Sequence, residues 1–179
     1  MKSLKRYIQE KLIIKKNKNT SYKYFPQTKE ELEDIIKQRI KQEGNEVDLN
    51  DIDVSQIIDM SNLFNGKTDF NGDISNWDVS NVTNMYGIFY GCENFDQDIS
   101  SWNVYNVTNM RYMFYFCGNF NQNISSWNVS NVNDMCCMFA HCKKFNQDIS
   151  SWNVSNVKKH INIFVNCPIE KKYKPKFSI

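Results

Sequence analysis

The feature that most constrains the fold is a repeat of 25 residues. The phrase NQDISSWNVSNV at 146–157 recurs as NQNISSWNVSNV at 121–132. Large apolar residues recur in register with it, including Trp77, Trp102, Trp127, Trp152, Cys92, Cys117, Cys142 and Cys167. A fixed period of roughly 20–29 residues is typical of architectures whose units stack, because one unit cannot bury its apolar face alone. The sequence therefore predicts about five stacked turns.

Spacing within one unit predicts two short elements. Apolar residues from Val79 to Cys92 follow one another at steps of three or four, which favours a short helix over 83–90. Phe95 and Ile99 lie on one side of an extended segment at 94–100, which favours a short strand. Each turn is therefore expected to contain strand, corner and short helix, with the strands of neighbouring turns forming a parallel sheet.

A helix is expected ahead of the repeats, within 28–48. Thr28 and Glu31 have the spacing of a capping box, and Gly44 suits a C-terminus in left-handed geometry. The predicted role of this helix is to cover the exposed end of the first turn. Its apolar stripe consists of Leu32, Ile35, Ile36 and Ile40.

Charge divides the chain in the same way. We predict a basic N-terminal segment at 1–27, the capping helix at 28–48, the repeats at 49–167 and a basic tail at 168–179. The net charge is +2, but the repeats are acidic, and an acidic body repels nucleic-acid phosphates. No signal-peptide pattern and no membrane-spanning apolar run is present, so we expect a cytoplasmic chain without membrane insertion.

The repeat wording resembles a known family. SNVTNM at 80–85, MF at 113–114 and FNQDISSWNVSNV at 145–157 resemble the units of the BspA-type leucine-rich repeat surface proteins, over about residues 49–167. The resemblance implies a leucine-rich-repeat-like fold, adhesion-type protein binding, no catalysis and a place at the cell surface. With the spacing, it leads us to expect an α/β repeat solenoid: a right-handed stack of strand/short-helix turns with an N-terminal capping helix.

The cysteine column has two interpretations. Stacked positions are near enough for disulfides, but cysteine is also a small apolar residue that is often buried, and no oxidising compartment is indicated. We favour buried free thiols. In CCMFAHC at 136–142, Cys137 and His141 share a face, but the second ligand pair of a zinc motif is missing. We therefore expect no metal and no cofactor.

Catalysis is not expected. His141 and His160 do not recur in the repeat, and no phosphate loop or nucleophile–base set is present. The expected function is a non-enzymatic, monomeric protein-interaction module with a protein partner. A structural or assembly component of a particle or cell envelope is the alternative.

Polar residues between the apolar strand positions are the candidate partner surface. Stacked carboxylates and amides can contact a basic partner or hold calcium, and otherwise form a solvated face. The copies differ at Tyr105, at Arg111 and at the Cys136–Cys137 pair, so specific function is also expected where they differ. The candidate partner-binding residues are Asp96, Asp98, Asn121, Asn123, Asn146 and Asp148.

Overall fold

The computed structural model describes residues 22–177. Most of the predicted basic segment at 1–27 and the last two residues of the predicted tail lie outside the described residues. The described chain contains one α-helix, α1 at Lys29–Glu43, and one 3-10 helix at Lys171–Tyr173. Turns and irregular segments make up the rest. Isolated parallel bridges join Tyr24 to Ile52, Asp48 to Asp73, Asp59 to Asn84, Asn84 to Asn109, Asn109 to Asp134 and Asp134 to Lys159.

The expected α/β solenoid of leucine-rich-repeat type is therefore wrong. Residues 83–90 contain turns and one isolated bridge position instead of a helix, and 94–100 contain no strand. Within residues 22–177 there is no sheet, only the single-residue bridges. The period of 25 residues is nevertheless the contact register of the structure, since five of the six bridges join residues 25 apart.

Consecutive turns explain why the apolar spacing resembled a helix. The N–H groups of Leu63, Asn65 and Lys67 each donate to the C=O three residues earlier, so residues three or four apart share a side, as in a helix. Two positions of each turn have a left-handed φ, which a right-handed helix does not contain. These positions are Asn62, Gly87, Tyr112, Cys137 and Asn162, and Gly66, Gly91, Phe116, His141 and Asn166.

A ladder of backbone hydrogen bonds joins the turns along one side, the rim. The rim comprises residues 59–66, 84–91, 109–116, 134–141 and 159–166. At each of its four junctions, four N–H groups of one segment donate to four C=O groups of the next. At the first junction the donors are Met60, Asn62, Phe64 and Gly66, and the acceptors are Asn84, Tyr86, Ile88 and Tyr90.

Side chains take over this role on the other sides of each turn. Each tryptophan Nε1–H donates to a C=O of the preceding turn, as Trp102 does to Ile74 at 3.2 Å. Asparagine amides do the same, as Asn106 does to Ser80 at 2.7 Å. Because side chains make these bonds, the backbone does not need to be extended there. The same bonds recur at Trp77, Trp127, Trp152, Asn81, Asn131 and Asn156.

Stacked aromatic rings form the core. In one column, Phe89 and Phe114 have ring centroids 5.6 Å apart, and Phe114 and Phe139 are 5.5 Å apart. A second phenylalanine column runs beside it, with Phe114 and Phe120 only 4.1 Å apart. These rings are fully buried. The backbone register brings identical rings into line, and each ring then buries its neighbours in the turns on either side.

The predicted helix is present, and it covers the first turn. Leu32, Ile35 and Ile36 are buried in the common core. Thr28 Oγ1 accepts the N–H of Glu31 at 3.3 Å, but the Glu31 carboxylate accepts the N–H of Gln27 and so does not complete a capping box. Gly44 has φ 91° and ψ −177°, a left-handed φ outside the predicted helical geometry.

Arg39 attaches the C-terminal half of α1 to the first turn. Its guanidinium donates to Asp51 Oδ1 at 2.6 Å and to the C=O of Asp48 at 2.8 Å, and it also pairs with Glu43. The residue is 8% exposed. Helical spacing alone identified the apolar stripe and missed this buried charge, because one of its acidic partners, Asp51, comes from the repeats.

We expect Phe114→Ala to lower the free energy of unfolding by about 3–5 kcal/mol, because the cavity separates rings above and below it. Guanidinium denaturation followed by tryptophan fluorescence measures this change. Tyr105→Ser is the matched control, since Tyr105 is 48% exposed and other turns have serine there. A loss below about 1 kcal/mol for Phe114→Ala would contradict a core built on ring stacking.

Candidate functional site

Three of the six predicted partner-binding residues lie in a hydrogen-bonded ladder. Asp96 Oδ1 accepts the N–H of Asn121 at 2.9 Å, and Asn121 Oδ1 accepts the N–H of Asn146 at 3.0 Å. Asn146 Oδ1 accepts the N–H of Glu170 at 2.9 Å. The three side chains are half-buried. Their oxygens hold successive turns together, which reduces what they can offer to a partner.

Glutamines complete this ladder, and the sequence did not identify them as functional. Gln97, Gln122 and Gln147 each donate a side-chain N–H to a backbone C=O of the preceding turn, at 2.8–2.9 Å. They recur at the repeat period, which was the available signal. Together with the neighbouring Asp and Asn residues, they replace the parallel strands that the sequence predicted.

The other three predicted residues, Asp98, Asn123 and Asp148, are exposed. Each side-chain oxygen accepts the N–H two residues further on, at 2.9–3.0 Å, and so closes a local turn. Hydrogen bonds from Ser100 lower the pKa of Asp98, and hydrogen bonds from Ser150 lower that of Asp148. These exposed groups are the part of the predicted surface that a basic partner can reach.

A cluster of aromatic side chains lies on the outer side of the rim. We define this aromatic face by Tyr86, Tyr90, Arg111, Tyr112, Tyr115, Phe116 and His141. The ring of Tyr112 meets those of Tyr86 and Tyr115 edge to face, with centroids 5.7 and 5.3 Å apart. Tyr90 and Tyr115 stack at 4.9 Å, and Phe116 and His141 stack at 4.3 Å. The rings therefore fix one another in place.

Arg111 adds a cation to the aromatic face. Its guanidinium carbon lies 4.7 Å from the centroid of the Tyr112 ring, and Nη2 donates to the Tyr112 hydroxyl at 3.1 Å. This hydrogen bond raises the pKa of Arg111. Asp134, buried beneath, lies 3.9 Å from the nearest guanidinium nitrogen. Burial raises the pKa of Tyr115.

Three residues of the aromatic face have a left-handed backbone, among them His141 with φ 64°. Tyr112 has φ 58° and Phe116 has φ 61°, whereas the preceding turn places Gly87 and Gly91 at these positions. A left-handed φ costs an L-residue about 1–2 kcal/mol relative to glycine. The sequence singled out Arg111 because the copies differ there, but it did not single out Tyr115 or Phe116. The signal available in the sequence was that aromatic residues stand at positions 112 and 116, where the preceding turn has Gly87 and Gly91.

The six cysteines are free thiols, and three members of the predicted column are buried. The thiol of Cys117 donates to the C=O of Phe89 at 2.9 Å. Burial raises the pKa of Cys92 to about 12 and the pKa values of Cys117 and Cys142 well above the ordinary value. The prediction of buried free thiols is confirmed for these three residues.

The Cys/His cluster has other contacts. Cys137 Sγ lies 3.8 Å from the C=O of Ile161, and His141 Nδ1 lies 3.3 Å from the Asn166 amide nitrogen. Across residues 22–177, no three Cys, His, Asp or Glu side chains are grouped to hold a metal ion. In the same part of the chain, no helix has the length and apolar character needed to cross a membrane.

Comparison with known proteins identifies one family. A family profile described as "Mycoplasma protein of unknown function, DUF285" matches residues 31–125 and again residues 105–173. The chain therefore belongs to this family, and the two matches take in most of α1 and all five rim segments. No curated protein and no solved structure is significantly similar to the chain.

The half-buried ladder predicts different effects on stability for two substitutions of Asn121. We expect Asn121→Leu to lower the free energy of unfolding by about 1–3 kcal/mol, because the N–H of Asn146 loses its acceptor. Asn121→Asp keeps that acceptor and copies the residue of the preceding turn, Asp96, so we expect a change below about 1 kcal/mol. Urea denaturation measures both. Equal losses would show that the oxygen at this position does not hold the turns together.

The burial of the thiols predicts the order in which the cysteines are alkylated. Thiolates are the reactive species, so iodoacetamide at pH 8 should modify the half-buried Cys137 well before Cys92, Cys117 and Cys142. Raising the pH to about 10 should still leave Cys92 largely protonated, since its pKa is about 12. Peptide mass spectrometry follows each site, and denatured protein serves as the fully reactive control. Labelling of Cys117 as fast as Cys137 would contradict the buried column.

Proposed function

We propose that the chain is a non-enzymatic protein-binding module whose contact surface is the aromatic face. The observation that carries this proposal is a set of mutually packed, partly exposed rings, three of which belong to residues with a left-handed backbone. Phe116 is 38% exposed, and Tyr86, Tyr90, Tyr112 and Tyr115 are half-buried. The resemblance to BspA-type surface proteins supports the same class of function and favours a partner at the cell surface.

The composition of this face suits protein recognition. Tyrosine and arginine are among the residues that contribute most to binding energy at protein interfaces, since they combine a large apolar area with a polar group. Here Tyr112 is packed between Tyr86 and Tyr115, and Arg111 lies over its ring. Side chains that are already ordered lose little conformational entropy when a partner binds.

The backbone strain supports the proposal independently. Glycine would satisfy the positions of Tyr112 and Phe116 at lower cost, and the preceding turn has glycine at both. Strain of this kind persists where the surrounding structure enforces it, and it concentrates at functional sites. A role in stability would favour the glycine of the preceding turn, so the aromatic side chains are better explained by a contact outside the chain.

The double variant Tyr112→Gly with Phe116→Gly tests this function. We expect the free energy of unfolding to fall by no more than about 1 kcal/mol, because relief of the left-handed strain offsets the lost ring contacts. Binding should nevertheless fall at least tenfold, as expected when anchor residues are removed. The immobilised full chain retains partners from bacterial and host surface extracts, and quantitative mass spectrometry compares the variant with the wild type.

Two further variants make the result specific. Tyr105→Ser removes an exposed aromatic residue that belongs to no ring contact of the aromatic face, so it should leave the retained proteins unchanged. Asp98→Lys with Asp148→Lys tests the polar surface predicted from the sequence. If the partner is lost with the aspartate variant and kept with the glycine variant, the contact surface is the polar one and the aromatic face is excluded.

A further inference from the structure

The rim bonds form continuous chains of hydrogen-bonded peptides. The peptide between Asn84 and Met85 accepts from the N–H of Met60 and donates to the C=O of Asn109. The same chain continues through Met110 and Met135, and three parallel chains run beside it. The N–H groups of these four chains all point towards the last turn, so their peptide dipoles add, as they do in an α-helix. The rim is therefore positive at 159–166 and negative at 59–66.

The positive end carries only hydrogen-bond donors. The C=O groups of Lys159, Ile161, Ile163 and Val165 all accept from the preceding turn. The N–H groups at the other positions have no acceptor among residues 22–177; they belong to His160, Asn162, Phe164 and Asn166. Asn162 and Asn166 have left-handed φ values, and right-handed residues alternating with left-handed ones make concave N–H sites that bind anions.

The charges beside the two ends differ. At the negative end, Lys29 Nζ donates to Ser61 Oγ at 2.8 Å, and the Asp59 carboxylate accepts the N–H of Ser61 at 2.7 Å, so charges of both signs lie there. At the positive end, Lys158 and Lys159 add charge of the same sign as the dipole. Lys159 lies 3.9 Å from Asp134, which also faces Arg111. The positive end therefore has an excess of positive charge, and an anionic group stabilises it.

The same rim segment, residues 159–166, also exposes apolar side chains. Ile161 and Val165 are 71% and 40% exposed, whereas their counterparts one turn earlier, Cys136 and Ala140, are 5% and 2% exposed. The following turn covers every rim segment except the last. The C-terminal residues contact this segment at His160 and Phe164 instead: Phe177 stacks on the His160 ring at 4.6 Å, and Lys174 Nζ lies 5.2 Å from the centroid of the Phe164 ring. The last rim segment and its neighbour Lys158 thus combine four N–H groups without an acceptor among residues 22–177, two lysines and two exposed apolar side chains.

We propose that residues 159–166 bind an acidic segment of a partner protein. Main-chain carbonyls of that segment accept the four rim N–H groups, its carboxylates pair with Lys158 and Lys159, and its apolar side chains cover Ile161 and Val165. A second copy fits less well. Neighbouring rims would need to approach to about 5 Å, but α1 covers one end of the core and the C-terminal residues cover the other. This site is separate from the aromatic face.

The test uses the full chain labelled with nitrogen-15 and a twelve-residue peptide of alternating glutamate and valine. A peptide with glutamine in place of glutamate is the control ligand. We expect the amide signals of Asn162, Phe164 and Asn166 to shift with the acidic peptide only. Lys158→Glu with Lys159→Glu should weaken binding roughly tenfold. The matched variant Lys143→Glu with Lys144→Glu, an adjacent exposed pair outside the rim, should stay within about twofold.

Several results would overturn the proposal. Amide shifts centred on Lys143 and Lys144, or no shifts, would exclude the rim. Inorganic phosphate that binds with the affinity of the peptide would reduce the site to a simple anion site. Rim shifts that depend on protein concentration without peptide, with a dimer in sedimentation, would assign the segment to a second copy. Retained peptide binding in the Tyr112→Gly, Phe116→Gly variant would instead support the proposal, because it would show that this site is separate from the aromatic face.

Discussion

The hydrogen bonds of the rim are the constraint on which the rest of the structure depends. Four N–H groups of each rim segment are paired with C=O groups of the next, so a turn cannot shift by one residue without losing the ladder. That register places phenylalanine over phenylalanine and indole Nε1 beside a carbonyl of the preceding turn. Buried rings then exclude water from the ladder, which strengthens its bonds. Backbone pairing and core stacking therefore support each other at every junction.

Much of this arrangement could be predicted from the sequence, but not the form of the backbone. The period, the buried columns and α1 follow from positions of apolar residues, and these were recoverable. The type of element was not, because steps of three and four suit both a helix and a series of turns. What separates them is a left-handed φ at residues such as Tyr112 and Phe116. Glycine or asparagine at six of the ten left-handed positions was a partial signal, but large L-residues such as these rarely adopt that conformation.

The backbone conformation, which the sequence did not reveal, also explains which predicted site residues turned out to have structural roles. Asp96 and Asn121 recur and are polar, and in a strand such residues would face solvent. In the actual coil their oxygens accept backbone N–H groups of the next turn. Recurrence thus indicated a structural role in these cases. Apart from Tyr90 and Tyr115, which are 25 residues apart, the residues of the aromatic face do not recur, and the expectation that function lies where the copies differ pointed to this region through Arg111. The contacts among its rings required the structure.

Because the stack repeats one kind of junction, its ends and its irregular positions are the places where it differs from turn to turn. The interior junctions are nearly equivalent, so they supply stability but little basis for specific binding. Stability gained over four junctions can offset the local strain at Tyr112 and Phe116, and also the unfavourable charge at Lys158 and Lys159. Both features lie at or beside the rim, where the dipoles of the aligned peptides add. A partner that contacts either place meets groups already held in position by the whole stack, and it need not order them itself.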